Sequence, residues 1–290
     1  MHDKTERFTG TLASSKRILI TGASRGIGRC TAELLARAGH RVVLAARDEV
    51  ALRQVAAEIT RQGGQAEVLV MDVCDDASVT RAMAALLATG PVDVAVNNAG
   101  VCEQGEFMCL APDTMRAELE LNYLGATRVA RALLPAWIER GEGLLVNVSS
   151  LLGSVASPTT ANYGATKAAL ESWSHALRAE LQRFGVRVSV FVVPHTDTDM
   201  GRRVHFEGVF SLPVDYTARE LLRAIDRAPR RYAGSPVYRA LLWLARLFPA
   251  FMEARVGATA RTSLRLAAGQ ARAPFAKRSD APAAVGANGA

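Results

Sequence analysis

At 290 residues, 49% hydrophobic and 22% charged, the chain can hold one large α/β domain or two small ones, and its balance is that of an ordinary globular protein. Its net charge of +7 comes from scattered arginines, not from a Lys/Arg run with interleaved aromatics, which argues against a nucleic-acid partner and leaves a mild preference for anions. Cys30, Cys74, Cys102 and Cys109 show no CxxC pairing and no histidine at ligand spacing, so neither a metal site nor a disulfide framework is expected. A reducing cytoplasm fits best, and Met1 to Lys16 are too polar for a secretory signal.

The first element is Arg17-Ile18-Leu19-Ile20-Thr21, an apolar run that meets glycine at once and predicts a buried parallel strand. Gly22-Ala23-Ser24-Arg25-Gly26-Ile27-Gly28 follows, then a helical stretch from about Arg29 to Ala38 closed by Gly39. Strand, glycine turn and helix are the context of a phosphate-binding loop. The glycines let the backbone close on a pyrophosphate, and the first N–H groups of the helix face the anion. The spacing is Gly-x-x-x-Gly-x-Gly, not the common Gly-x-Gly-x-x-Gly. The second strand, His40 to Ala46, ends at Arg47. In a dinucleotide fold this end faces the adenosine ribose, where an acid takes the 2′-OH and an arginine accommodates a 2′-phosphate. Ala46 and Arg47, with Arg25 as a second phosphate partner, therefore point to NADP(H).

A helix from about Glu49 to Gln62 is followed by a strand from Ala66 to Met71 that closes in Asp72-Val73. Next come a helix from Ser78 to Thr89 and a strand from Val92 to Val96, ending in Asn97-Asn98-Ala99-Gly100. Strands alternating with such helices predict an α/β fold: one Rossmann-type, doubly wound parallel sheet with helices on both faces and ligands at the carboxyl ends of the strands. Pro112 opens a long helix that carries Asn122 and runs to Arg140 with a break near Pro135. Leu144 to Val148 is a further strand, ending in Ser149-Ser150, and Tyr163-Gly164-Ala165-Thr166-Lys167 comes next. A phenol and an ammonium four residues apart on a helix share one face. Bringing a phenol from a pKa of about 10 to about 7 takes roughly 4 kcal/mol of preferential stabilisation of the phenolate, which a close cation helps supply.

Thr21 to Gly28, Asn97 to Gly100, Asn122, Ser150 and Tyr163-xxx-Lys167 occur in the order and spacing of the short-chain dehydrogenase/reductase family. The chain resembles that family from roughly Lys16 to Met200. The resemblance implies that Tyr163 is the acid/base of a carbonyl–alcohol interconversion, with hydride passing to or from a nicotinamide. It implies that Lys167 holds the nicotinamide ribose and lowers the tyrosine pKa, and that Ser150 fixes the carbonyl oxygen. Asn122 matches the position whose backbone or side chain helps hold a water in the proton relay. Gly22, Ser24, Arg25, Gly26, Ile27 and Gly28 match the pyrophosphate and adenosine contacts, Asp72 and Val73 the adenine contacts, and Asn98, Ala99 and Gly100 the border of the adenosine ribose.

One departure follows Val186 to Val193, the strand after the catalytic helix. Where the family has Pro-Gly, this chain has Pro194-His195 and is one residue shorter before Asp197-Thr198-Asp199. His195 either shapes the substrate pocket or packs against the loop. Thr198 is the expected carboxamide contact, with Thr196 as its competitor. Residues 201–212, with Arg202, Arg203, His205, Phe206 and Phe210, fall where the family carries a mobile substrate lid, so Ser150, Leu152, His195 and Phe206 are candidate pocket residues.

Ala218 to Ala228 predicts an amphipathic helix. Residues 238–252 are apolar but too short and arginine-interrupted to span a bilayer, which takes about 20 apolar residues. They lie on a membrane surface, cover an apolar substrate tunnel or pack at an interface. The expected organisation is a flexible segment at 1–15, one catalytic domain at 16–267 with C-terminal helices from about 216, and a disordered tail at 268–290. The expected function is NADPH-dependent reduction of an apolar carbonyl, or the reverse oxidation, by a homodimer or homotetramer. A catalytically silent cofactor-binding sensor and an epimerase or isomerase are the alternatives.

Overall fold

The computed structural model describes residues 14–204, 206 and 210–257. Seven parallel strands, β1 (Arg17–Thr21), β2 (Arg41–Ala46), β3 (Gln65–Val70), β4 (Val94–Asn97), β5 (Gly143–Ser150), β6 (Val186–Val193) and β7 (Arg231–Tyr232), form one sheet in the order β3-β2-β1-β4-β5-β6-β7. The order reverses between β1 and β4, and at such a switch point the carboxyl ends of the strands open a crevice for a ligand.

Both faces of the sheet are buried, which is why its strands read as continuous apolar runs. Ile18, Ile20, Val42, Leu44, Leu144 and Val146 point into one core with α1 (Gly26–Arg37), α2 (Glu49–Arg61) and α8 (Val214–Arg227). Leu19, Val43, Ala45, Ala95 and Leu145 point into the other, against α3 (Asp76–Ala88), α5 (Gly125–Arg140) and α6 (Ala161–Leu181). The remaining helices are α4 (Pro112–Leu119), the short α7 (Asp199–Arg203) and α9 (Pro236–Leu247), and the helical residues 249–257 follow α9.

Three expectations change. The first helix begins at Gly26, not near Arg29, so Gly26-Ile27-Gly28 is itself the first turn of α1. The break expected near Pro135 lies instead at Glu120–Leu124, a π-helical turn between α4 and α5. Pro135 sits within α5 on its exposed side, as does Arg131 one turn earlier, where water can serve the carbonyl that proline leaves unpaired. The π turn lies where Gly125 packs on Val73: a Cβ at Gly125 would come 2.8 Å from Val73 Cγ2. Finally, α8 begins four residues before Ala218, directly after Pro213, and the two-residue β7 carries too little pattern to be read in sequence. Residues 1–13, 205, 207–209 and 258–290, which include most of the expected flexible N-terminal segment, part of the expected lid and the expected tail, lie outside the described residues.

Candidate active site

The glycine turn is tied to the end of β4 by its neighbours. Thr21 Oγ1 accepts the backbone N–H groups of Asn98 and Ala99, each at 3.0 Å, and Asn98 Nδ2 donates to the carbonyls of Thr21 at 3.0 Å and Gly22 at 3.3 Å. A Cβ at Gly28 would lie 2.4 Å from the Gly22 carbonyl oxygen and 2.5 Å from Asn98 Nδ2. Gly22, at φ +66°, holds a conformation that glycine adopts without strain. Asp48 caps α2 and Asp75 caps α3, but Arg25 gives α1 no side-chain cap. A bare backbone turn ahead of an uncapped helix fits a pyrophosphate, which takes up the first-turn N–H groups that the protein leaves unpaired.

Arg47 stands exposed just beyond β2, with Nη1 3.9 Å from Asp72 Oδ2. Asp72 also accepts the Cys74 N–H through Oδ1 at 2.9 Å. An exposed arginine beside a strand-end acid fits the adenosine end of a dinucleotide. Val73 differs: its side chain is buried beneath Gly125, so only its backbone can face an adenine. Arg25 and Ser24 lie on the same turn, Arg25 exposed.

Ser150 ends β5, and its Oγ accepts the Leu152 N–H at 3.2 Å and hydrogen bonds the Tyr163 phenol. Tyr163 and Lys167 lie one turn apart on α6, with Lys167 Nζ 5.8 Å from the phenol ring centroid and donating to the Val148 carbonyl at 2.9 Å. Burial raises the phenol pKa above its ordinary value, the Cys102 and Glu118 charges add to this, and the Ser150 hydrogen bond opposes it. The same burial pushes Lys167 down to about 8. Burial thus acts on the phenol in the opposite sense to the lowering expected from the Lys167 charge. The Lys167 ammonium donates to a backbone carbonyl, and desolvation is the largest influence on the phenol.

Asn122 lies in the π turn and is almost fully buried. Its Oδ1 accepts the Val101 N–H at 2.8 Å, and its Nδ2 donates to the Val101 carbonyl at 2.9 Å and to Thr166 Oγ1 at 3.0 Å. With the side chain fully committed, its backbone is the part left to hold a water. The amide instead couples the π turn to the helix of Tyr163, because Thr166 Oγ1 donates to the Tyr163 carbonyl at 2.8 Å.

These groups meet at a cavity of about 280 Å³ whose lining includes Ser150, Leu152, Tyr163, Lys167, His195 and Phe206. His195 packs edge-on against Phe206, ring centroids 5.6 Å apart, so it shapes the cavity and supports the lid side together. The two threonines separate as well. Thr196 Oγ1 is buried on Thr217 Oγ1 at 2.9 Å and the Pro194 carbonyl at 2.9 Å. Thr198 caps α7 and lies across from Gly26, where a Cβ would sit 3.5 Å from its Cγ2.

Several residues around the site were not singled out in the sequence, though Tyr238 and Leu241 fall in the 238–252 segment for which a tunnel cover was one expectation. Cys102 lines the cavity, its thiol pushed up to about 12 by burial and then by Glu118 and Glu103. Glu118, buried on α4, accepts the Glu103 N–H at 2.7 Å through Oε1 and the amide of Asn162, next to Tyr163, through Oε2. Its signal is a place four residues before Asn122, on the same helix face. Glu171 accepts Ser149 Oγ at 2.8 Å and Arg231 Nε at 3.0 Å, tying α6 to β5 and β7. Tyr238, Leu241 and Val256 roof the cavity from the C-terminal helices.

Comparison with known proteins follows the same lines. The family model of the short chain dehydrogenases matches residues 16–207. The chain is 32% identical over 188 residues to a mouse dehydrogenase/reductase SDR family member 7B, covering 63% of this chain and 58% of that one. It is 34% identical over 239 residues to a fatty acyl-CoA reductase of Acinetobacter baylyi, covering 80% of each. The match takes in about three fifths of the length of the first curated relatives, 58% and 63%. Among solved structures, a short-chain dehydrogenase from Sphingobium yanoikuyae in complex with NADPH superposes with a TM-score of 0.71 at 31% identity, covering 85% of this chain and 96% of that one.

Proposed function

The chain belongs to the short-chain dehydrogenase family, and from that premise we propose that it reduces the carbonyl of an apolar substrate to an alcohol with NADPH. One observation carries the proposal: Ser150, Tyr163 and Lys167 converge on a single cavity with largely apolar walls, beside the uncapped glycine turn. When bound, the nicotinamide supplies a hydride to the carbonyl carbon. Ser150 Oγ donates to the carbonyl oxygen and holds it as negative charge builds there. Tyr163, hydrogen-bonded to the same serine, gives that oxygen its proton. Lys167, charged below about pH 8, favours the phenolate left behind. Reduction is preferred because Ala46 and Arg47 point to the phosphorylated cofactor, which cells keep mostly reduced. Reduction uses the phenol and oxidation the phenolate.

NADP(H) is supported by Ala46 at the end of β2, by Arg47 just beyond it and by the NADPH of the Sphingobium structure. An apolar substrate is supported by the cavity walls and by the Acinetobacter relative, a fatty acyl-CoA reductase. The four free cysteines suit a reducing compartment such as the cytoplasm. The test is to follow NADPH and NADH oxidation by the purified protein with a panel of aldehydes and ketones of increasing chain length. Turnover with NADPH that improves with chain length is expected. Equal use of NADH overturns the cofactor assignment, and full activity of Tyr163→Phe overturns the mechanism. NADPH binding without hydride transfer across the panel turns the reading to a sensor.

A further inference from the structure

Among the described residues, the helices that roof the cavity are apolar on two sides, of which one is covered. On the inner side Leu242, Ala245 and Met252 are buried against Val155, Val190 and Val192. On the outer side Trp243, Leu247, Phe248 and Phe251 are at least half exposed, with Trp243 at 64%. These outer residues recur at roughly helical spacing along α9 and residues 249–257. Arg239, Arg246 and Arg255 are exposed along the same segment against one acid, Glu253. Among the described residues none of the three arginines forms an ion pair.

We propose that this face docks on an anionic lipid surface, with the aromatic stripe in the acyl boundary and the arginines on lipid phosphates. A twelve-residue helix is too short to cross a bilayer but can lie in its interface. Arginines bury their stems along apolar surface and keep their charge at the headgroups, where Trp and Phe also settle. Charge complementarity selects lipid over a second copy. A symmetric dimer sets a patch against itself, so three unpaired arginines would face three more with one acid each to offset them, whereas an anionic headgroup layer neutralises all of them. Docking there would bring the cavity roof, Tyr238, Leu241 and Val256, to the lipid, on the path of an apolar substrate. The lipid contact does not depend on the proposed reaction and is tested without it.

The test is co-sedimentation of the full chain with vesicles of phosphatidylcholine alone or mixed with phosphatidylglycerol, at low and high salt. Most of the protein should pellet with the anionic vesicles at low salt and little with the neutral ones. Trp243→Glu with Phe251→Glu should weaken binding at least tenfold, and Arg239→Gln with Arg246→Gln should weaken it and flatten its salt dependence. Circular dichroism verifies that each variant is folded, and the arginine pair serves if the glutamate pair does not fold. Wild-type protein that stays in solution with anionic vesicles overturns the proposal. So does unchanged binding by the folded glutamate pair, which would assign the affinity to another segment. A fall to half the wild-type mass in sedimentation velocity, caused by the glutamate pair, would assign the face to a second copy instead.

Discussion

The cofactor side and the substrate side of this molecule are built on different principles. On the cofactor side the main chain shapes the cradle: a Cβ at Gly22 or Gly28 would press on neighbouring atoms, Gly26 holds a positive φ, and Thr21 and Asn98 pin the turn through main-chain hydrogen bonds. On the substrate side the work falls to side chains from distant segments, among them Leu152, Tyr163, His195, Phe206, Tyr238 and Leu241. A main-chain site tolerates almost no change at its glycines, whereas a side-chain cavity can be reshaped residue by residue. The contrast implies that substrate range can vary while cofactor handling stays fixed.

Tyr163 stands where the two sides meet, and its loss should be the largest effect. Tyr163→Phe is expected to lower kcat by about 10² to 10⁴ while NADPH affinity, read by nucleotide fluorescence, stays within a few-fold. A loss of both would mean that the two sides are not separable. Gly28→Ala should disrupt the cofactor side and destabilise the fold by about 1–3 kcal/mol, because its Cβ would meet the Gly22 carbonyl. Denaturant unfolding together with NADPH titration measures this, and an unperturbed turn would contradict the backbone cradle. Arg47→Gln should weaken NADPH by roughly 10- to 100-fold and leave NADH nearly unchanged, the span of about 1.5–3 kcal/mol for a hydrogen bond to a charged group.

The next effect tests the charge at the junction. Lys167 titrates near pH 8 in the folded chain and is charged below that value, so reduction should hold steady below pH 8 and decline above it. Lys167→Met should remove the decline. The stability sign follows from the same shift. The folded pKa is depressed from 10.5 to about 8, so the lysine's contribution to stability is present above pH 10.5 and is lost as pH falls to 8. The stability difference between Lys167→Met and the wild type should change across that window and level off below it. The smallest effect belongs to the roof. Leu241→Ala should raise KM for a long-chain substrate about 5- to 20-fold, for the roughly 1–2 kcal/mol of apolar contact removed, and leave a short ketone unaffected. Equal loss on both substrates would place Leu241 in folding rather than in substrate fit.

Legibility in the sequence divides along the same line. The glycine turn, the strand-end Ser150 and the Tyr163–Lys167 pair could be read because each is a local pattern: a strand meeting glycines, a strand end, two residues one turn apart. The buried clamp of Glu118 on Asn162 could not be read, since its two residues are 44 apart and nothing near either one marks the other. The burial that raises the tyrosine pKa is illegible for a related reason. Spacing places the lysine beside the phenol, but it gives neither the depth of burial nor the Val148 carbonyl that takes the ammonium.

The sequence by itself determined the parallel sheet, the phosphate-binding turn and the residue set around Tyr163, because strand runs, glycine spacing and helical repeat are short-range and each follows from the chemistry of a few neighbours. The tertiary structure alone decided where α4 gives way to a π turn, that Thr196 is buried on Thr217 while Thr198 caps α7, and that part of residues 238–252 lines the cavity. Those answers depend on contacts between segments far apart in the chain. For the C-terminal helices they gave one face to the cavity roof and left the other, aromatic and arginine-edged, on the outside.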